Sequence, residues 1–430
     1  MERYIPILPH RLRRRFWKAA GLIALFIVTL AMANPLSPPQ RSVTGDMLGH
    51  DFLPFYAAGT FARSGRFADF YDLSAIKRCE SAIGHSVGWK LGFGPWWNPP
   101  FAAWLFVPFT FLPFAGALVV WELLGLLAAA AAAYFLSRAI PGAWANRVLV
   151  PALILISGPF IAVAAHGQNT FLTLLIVSIV VMLWRNGQDF ASGLVAGLLL
   201  YKPQHAAVLA AALILSRGWR AAAGLALTAI GLIVITLITM PGALPDYLHK
   251  LPQMIAVMQV QSDYSWDRHV TLKAFWRLLF QGTDAGTMNW MPWLCWWASE
   301  AIVLRILWEI FQAARRDPTQ TDRLIAASIV ATPLLAPFFF DYDLLILAPA
   351  AVLCAADSLR NGLDRRLLLA WTAIYFLTYI SNPIAHLTGF NPAAPALIAL
   401  LAAIAHSPRR AAVLAMQQPI ESQETRAMAA

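Results

Sequence analysis

Asp51-Phe52-Leu53-Pro54-Phe55-Tyr56-Ala57-Ala58-Gly59 is the stretch on which the reading of this chain turns. An acid leads it, aromatic residues and a proline follow, and small residues close it. It comes soon after the first long apolar segment, so Asp51 is expected where a membrane helix meets water. Whether other polar residues reach that same boundary decides what the rest of the chain is for.

The composition sets the class. The chain has 430 residues, 59% of them hydrophobic and 13% charged, with a mean hydropathy of +0.61. A soluble domain carries about 25% charged residues, and it has no need of repeated apolar runs near the ~20 residues that span a bilayer. An all-α polytopic membrane protein is expected. The net charge of +10 is spread as arginines in short loops between apolar runs. That pattern fits the positive-inside rule better than a nucleic-acid surface, and no nucleic-acid partner is expected. Cys79, Cys295 and Cys354 show no metal-binding spacing. Cys354 reads as a packing residue, and a bridge between Cys79 and Cys295 is left open.

Working outward, residues 1–18 hold Arg11, Arg13, Arg14, Arg15 and Lys18, ahead of an apolar run near 22–33. Ala31-Met32-Ala33 offers a cleavage pattern, but with so many spans following, an uncleaved anchor with a cytoplasmic start is favoured. A long outer loop, about 34–112, then carries Asp51, an amphipathic piece from Phe61 to Tyr71 expected along the membrane surface, and Trp96-Trp97-Asn98-Pro99-Pro100. Residues 101–112 are too short to span comfortably and read as re-entrant. Further segments are expected near 114–136, 148–165, 169–184, 190–201, 204–216, 219–240, 291–313, 323–339, 344–357, 366–382 and 392–407. This gives a bundle of about 10–12 transmembrane helices, in one domain over residues 1–407. A second outer loop falls at about 241–290, and 408–430 reads as a disordered cytoplasmic tail.

Threading from a cytoplasmic start puts Arg138, Arg147, Arg185, Arg217, Arg220, Arg315, Arg316, Arg323, Arg360, Arg365, Arg366, Arg409 and Arg410 inside. It sends Asp51, His166-Gly167-Gln168-Asn169, Lys202-Pro203-Gln204-His205, the 241–290 loop, Asp341-Tyr342-Asp343 and residues 381–391 to the outer face. Ionisable groups near membrane depth are expensive and mark sites or pathways. Several meeting on one face imply a shared cavity.

Each group has a plain reading beside a chemical one. Asp51 is either the N-cap of a helix or a carboxylate that takes a proton from a hydroxyl. Lys202 follows about ten apolar residues and precedes a helix-breaking proline. It either snorkels to the interface or pairs with a phosphate. His166, Gln168 and Asn169 form a turn whose side chains suit sugar hydroxyls. Arg268 and His269 belong to a solvated loop or hold a phosphate. Asp341 and Asp343 are too few for a metal site and read as hydrogen-bonding or capping groups. No metal and no cofactor is expected. H-E-x-x-H and Walker patterns do not occur in the sequence.

Read in order, several stretches together resemble glycosyltransferase family 87. They are Asp51-Phe52 with Phe55-Tyr56-Ala57-Ala58-Gly59, Gly65 to Tyr71, Asn98-Pro99-Pro100 with Leu105-Phe106 and Pro108, and Leu112-Pro113-Phe114. Gly167-Gln168-Asn169, Gly193 and Gly197 leading to Lys202-Pro203, and Pro337 with Tyr342-Asp343-Leu344 complete the set. These family members are polytopic enzymes of the GT-C superfamily that use polyprenyl-phosphate sugars. The resemblance implies a GT-C-like bundle and an inverting transfer of a hexose, typically mannose, to a lipid or glycan acceptor at the outer face of the plasma (inner) membrane. It implies Asp51 as base, and Arg268 with His269 near the donor phosphate, although Ser265-Trp266-Asp267 departs from the asparagine-serine pattern of the family there. A transporter or flippase of lipid-linked glycans, or a ligase moving a whole glycan, is the competing reading. A transporter should carry ionisable groups towards both sides, and here they collect on one.

Overall fold

The computed structural model describes residues 48–88, 93–140, 144–261 and 264–407. The basic start, the apolar run at 22–33, the tail at 408–430 and Asp263 lie outside the described residues. Among those described the fold is helical throughout, and its single β-bridge joins His269 to Phe340.

The helices are α1 (Phe52–Arg63), α2 (Leu73–Val87), α3 (Phe114–Ala139), α4 (Trp144–Leu155), α5 (Gly158–His166), α6 (Thr170–Arg185), α7 (Asp189–Gly197) and α8 (Pro203–Arg217). They continue with α9 (Trp219–Thr239), α10 (Ala243–Gln259), α11 (Leu272–Gln281), α12 (Trp290–Arg316), α13 (Thr321–Leu335), α14 (Ala348–Asn361), α15 (Arg365–Thr388) and α16 (Ala393–His406). Every apolar segment read from the sequence between residues 114 and 407 is a helix or a broken pair. Four helices among the described residues are long and apolar enough to cross a membrane, or five if the pair bent by 54° at residues 156–157 counts as one. Others, such as α6 and α16, are shorter. Prolines and glycines interrupt the runs, so several expected spans are built from pieces rather than single rods.

The described part of the segment expected as the first outer loop is largely helical. Its expected interfacial piece divides at Gly65, whose φ of +68° is left-handed, into the end of α1 and a 3-10 helix at Phe67–Tyr71. Phe61, Phe70 and Tyr71 are buried in the protein rather than turned to lipid. Pro100–Phe111 forms a second 3-10 helix laid against α1. That contact is close: a methyl group on Gly59 would stand 2.8 Å from the Phe106 backbone.

The polar groups divide between two ends of the bundle. At one end Asp322 accepts Arg185 at 2.8 Å and Arg360 at 2.6 Å, and Arg323 meets Asp357 at 2.9 Å. At the other end lie Asp51, the α5–α6 turn, the break at Lys202 and the segment after α13. α6 and α8 each run from this end to the arginine end, and α13 runs back. Exposed Trp290, Trp293 and Trp297 begin α12, whose far end is Arg315-Arg316. Tryptophan suits a headgroup boundary, where its ring and N–H are both accommodated. α7 and α9 cross with almost no space between their backbones. A side chain at Gly193 would overlap the Ala221 carbonyl, and one at Gly224 would overlap that of Phe190.

Candidate functional site

The site is built on the junction between Asp51 and the α5–α6 turn. Phe52 is fully buried and stacks on Trp121, with centroids 5.8 Å apart. Trp121 Nε1–H donates to the Gly167 carbonyl at 2.9 Å. The Gly49 and Asp51 amides donate to the carbonyls of Ala165 and His166, at 3.1 and 2.9 Å. Gly167 has φ +73°, and a Cβ there would come within 2.9 Å of Phe52 Cβ. Only glycine allows both the turn and the contact. Two segments far apart in sequence are thereby one rigid unit.

Asp51 occupies the N-cap position of α1 but makes no capping bond with its side chain. Its Oδ2 is buried without a hydrogen-bond partner among the described residues, 3.7 Å from His166 Nδ1. Beside it, Gln168 Nε2 donates to the Tyr342 hydroxyl at 2.9 Å, while Gln168 Oε1 accepts from the Asn169 amide at 3.1 Å. Asn169 is buried, and its side-chain amide makes no hydrogen bond to the described residues.

Lys202 stands at the break between a 3-10 turn (Leu198–Tyr201) and α8, with Pro203 as the first residue of α8, where its missing N–H costs nothing. The lysine does not snorkel. Its Nζ donates to Asp343 Oδ1 at 3.0 Å, and both side chains are buried. Thr170 Oγ1 donates to the same oxygen at 2.5 Å, and His205 Nε2 lies 3.4 Å from Asp343 Oδ2. Asp343 is therefore the counter-charge that an isolated lysine at this depth requires.

Arg268 forks onto Asp341, with Nη2 at 3.0 Å and Nε at 3.4 Å, and its guanidinium lies 5.6 and 5.5 Å from the ring centroids of Phe340 and Tyr342. His269 departs from the phosphate-holding role expected of it. It is buried behind the wall, stacked on Tyr264 at 5.3 Å, and its Nδ1 accepts the Phe339 amide at 3.2 Å. Burial, with Arg268 and Lys273 nearby, pushes its imidazole down to about 3, so the ring is neutral. It fixes the backbone carrying Phe339 and Phe340 and brings no charge to the site.

These elements enclose one cavity of about 470 Å³, within the range of small-molecule sites. Asp51, Gln168, Lys202, Arg268, Tyr342 and Asp343 form its polar side; Pro54, Phe55, Trp97, Met258 and Phe339 form an apolar and aromatic side. His166, Asn169 and His269 stand outside this lining. Among the described residues no three His, Cys, Asp or Glu side chains converge on a possible metal position, and all three cysteines are free. Sequence reasoning missed the wall contributed by α10 (Ile255 and Met258) and the part of Asp343. A lysine at the end of one apolar run and an aspartate at the head of another were the available signal, because each needs a partner.

A family model, glycosyltransferase family 87, matches residues 96–337, a span holding Gln168, Lys202 and Arg268 but neither Asp51 nor Asp343. No curated protein and no solved structure matches the chain. The match covers more than half of the sequence and agrees with the helical, multi-pass architecture. The protein belongs to glycosyltransferase family 87 and is a membrane glycosyltransferase.

Proposed function

We propose that the protein moves a hexose, mannose in the first instance, from a polyprenyl-phosphate sugar to a hydroxyl of a lipid or glycan acceptor. The proposal includes a GT-C-type architecture and action at the outer face of the plasma membrane, with inversion at the anomeric carbon. The observation that supports it is the juxtaposition in one cavity of the Asp51 carboxylate with two cations, Lys202 and Arg268.

The chemistry balances on those groups. The acceptor hydroxyl attacks the anomeric carbon from the face opposite the phosphate and gives its proton to Asp51. The bond from that carbon to the phosphate oxygen breaks, and polyprenyl phosphate leaves with the electron pair. Its extra negative charge falls to donors already in place. Lys202 uses one of its three N–H bonds on Asp343, and Arg268 directs Nε and Nη2 to Asp341, leaving Nη1 free for a phosphate oxygen. Gln168 and Tyr342 are proposed to hold sugar hydroxyls, with Asn169 shaping the turn behind them and His269 the wall.

The test is Asp51→Asn in purified, reconstituted vesicles supplied with radiolabelled polyprenyl-phosphate hexoses and total membrane lipid. Transfer should disappear while expression and folding persist; undiminished transfer removes Asp51 from the mechanism.

A further inference from the structure

We infer that His166 is the positioning residue of Asp51: on substrate binding its Nδ1–H donates to Asp51 Oδ2 and turns Oδ1 toward the acceptor hydroxyl. This rests on the reading of Asp51 as base and adds to it a group that sequence reasoning assigned to the sugar.

The two carboxylate oxygens of Asp51 are not equivalent. Oδ2 is fully buried and has no hydrogen-bond partner among the described residues, whereas Oδ1 is not buried. The side chain, 20% exposed, lines the cavity, so Oδ1 is the oxygen open to a ligand. His166 does not line the cavity. It stands behind Asp51, with Nδ1 3.7 Å from the buried oxygen. Closing that gap to hydrogen-bond length takes less than an ångström, and such bonds are commonly long before substrate binds. The backbone allows little else to move. Asp51 N–H bonds to the His166 carbonyl, Gly49 N–H to that of Ala165, and Gly167 lies against Phe52. Any approach is therefore made by the two side chains. The His166 ring is also 6.0 Å from that of Tyr342, which the Gln168 amide holds by its hydroxyl. A carboxylate with one oxygen tethered presents the other in a fixed direction, and a base held in place is the feature that orientation effects reward.

Asparagine separates this role from a structural one, because its Nδ2 lies as many bonds from the backbone as histidine Nδ1. Full-length protein in vesicles, with radiolabelled polyprenyl-phosphate mannose and total membrane lipid, is the system. His166→Ala should lower kcat about ten- to a hundredfold, the range for losing a hydrogen bond to a charged group, with donor KM changed less than about twofold. His166→Asn should recover most of that loss. Equal losses in His166→Asn and His166→Ala, or an unimpaired His166→Ala, overturn the inference while leaving Asp51 as base. A fully active Asp51→Asn, or a wild type that uses no polyprenyl-phosphate hexose, removes the parent reading and this one with it.

Discussion

Replacing Asp343 with asparagine would keep the shape of the buried lysine site and remove its negative charge. In the native protein Lys202 Nζ and Asp343 Oδ1 are 3.0 Å apart, which corresponds to about 5–6 kcal/mol of attraction at an effective dielectric constant of 20. Desolvation of both ions offsets much of this, so the pair itself adds little net stability. Deleting one member is different, because the other charge stays buried without compensation, at about 3–5 kcal/mol. The amide can still accept from Thr170 and face His205 with its nitrogen, so the loss isolates charge from hydrogen bonding. Unfolding by sodium dodecyl sulfate in mixed micelles should show Asp343→Asn destabilised by roughly that amount. The double variant Lys202→Met, Asp343→Leu should lie within about 1 kcal/mol of wild type yet fail in transfer. If the double variant falls as far as the single one, or Asp343→Asn unfolds like wild type, the counter-charge account is refuted.

Gly167→Ala should cost at least about 1 kcal/mol through its left-handed φ and also lower transfer, because the added methyl pushes on Phe52 next to Asp51; a stable and fully active variant would dissolve the coupling between the two segments. Arg268→Lys keeps the charge but not the fork on Asp341, so donor KM should rise about tenfold with a smaller effect on kcat; unchanged steady-state kinetics would exclude the arginine from donor binding. Two buried groups should give pH dependences of opposite sign. His269 is held near 3 by burial, below its unfolded value of 6.5, so only the unfolded chain gains a proton between those values and stability falls as pH drops below 6.5. Glu80, whose Oε2 accepts the Gly94 amide at 3.1 Å, is pushed up to about 8 by burial from 4.5, so stability falls as pH rises from 4.5 towards 8. His269→Asn should flatten the acid limb and Glu80→Gln the alkaline one, read by denaturant titration across pH; limbs that persist in these variants refute the assignments.

The apolar helices between residues 114 and 239 and between 290 and 406 were legible because apolar runs end at arginines and polar turns, and neither depends on tertiary contacts, whereas α10 and α11 lie in what was expected to be the 241–290 loop. Asp51, Gln168, Lys202 and Arg268 were legible as a set, because threading the apolar runs sends all four to one face. Partnership was not. Nothing local to Lys202 specifies Asp343, and nothing near Arg268 says that Asp341 holds it. The inward packing of Phe61, Phe70 and Tyr71 was not legible, because aromatic rings suit a headgroup layer and a protein interior equally well. His269 failed for a related reason: a histidine next to an arginine in a loop reads as charged until packing shows it stacked and dry. The cavity wall from α10 carries ordinary apolar residues, Ile255 and Met258, and no sequence signal separates these from lipid-facing ones.

The bare-backbone crossing of α7 and α9 has a reach beyond its own packing. α7 runs through a single 3-10 turn straight into Lys202, so the angle at which these helices meet sets where the ammonium group points. A methyl group at Gly193 would act like a shim under a lever, tilting α7 and swinging its far end. Selection for lost transfer should therefore recover substitutions at Gly193 and Gly224 alongside those at the cavity itself, in proteins that still insert and fold.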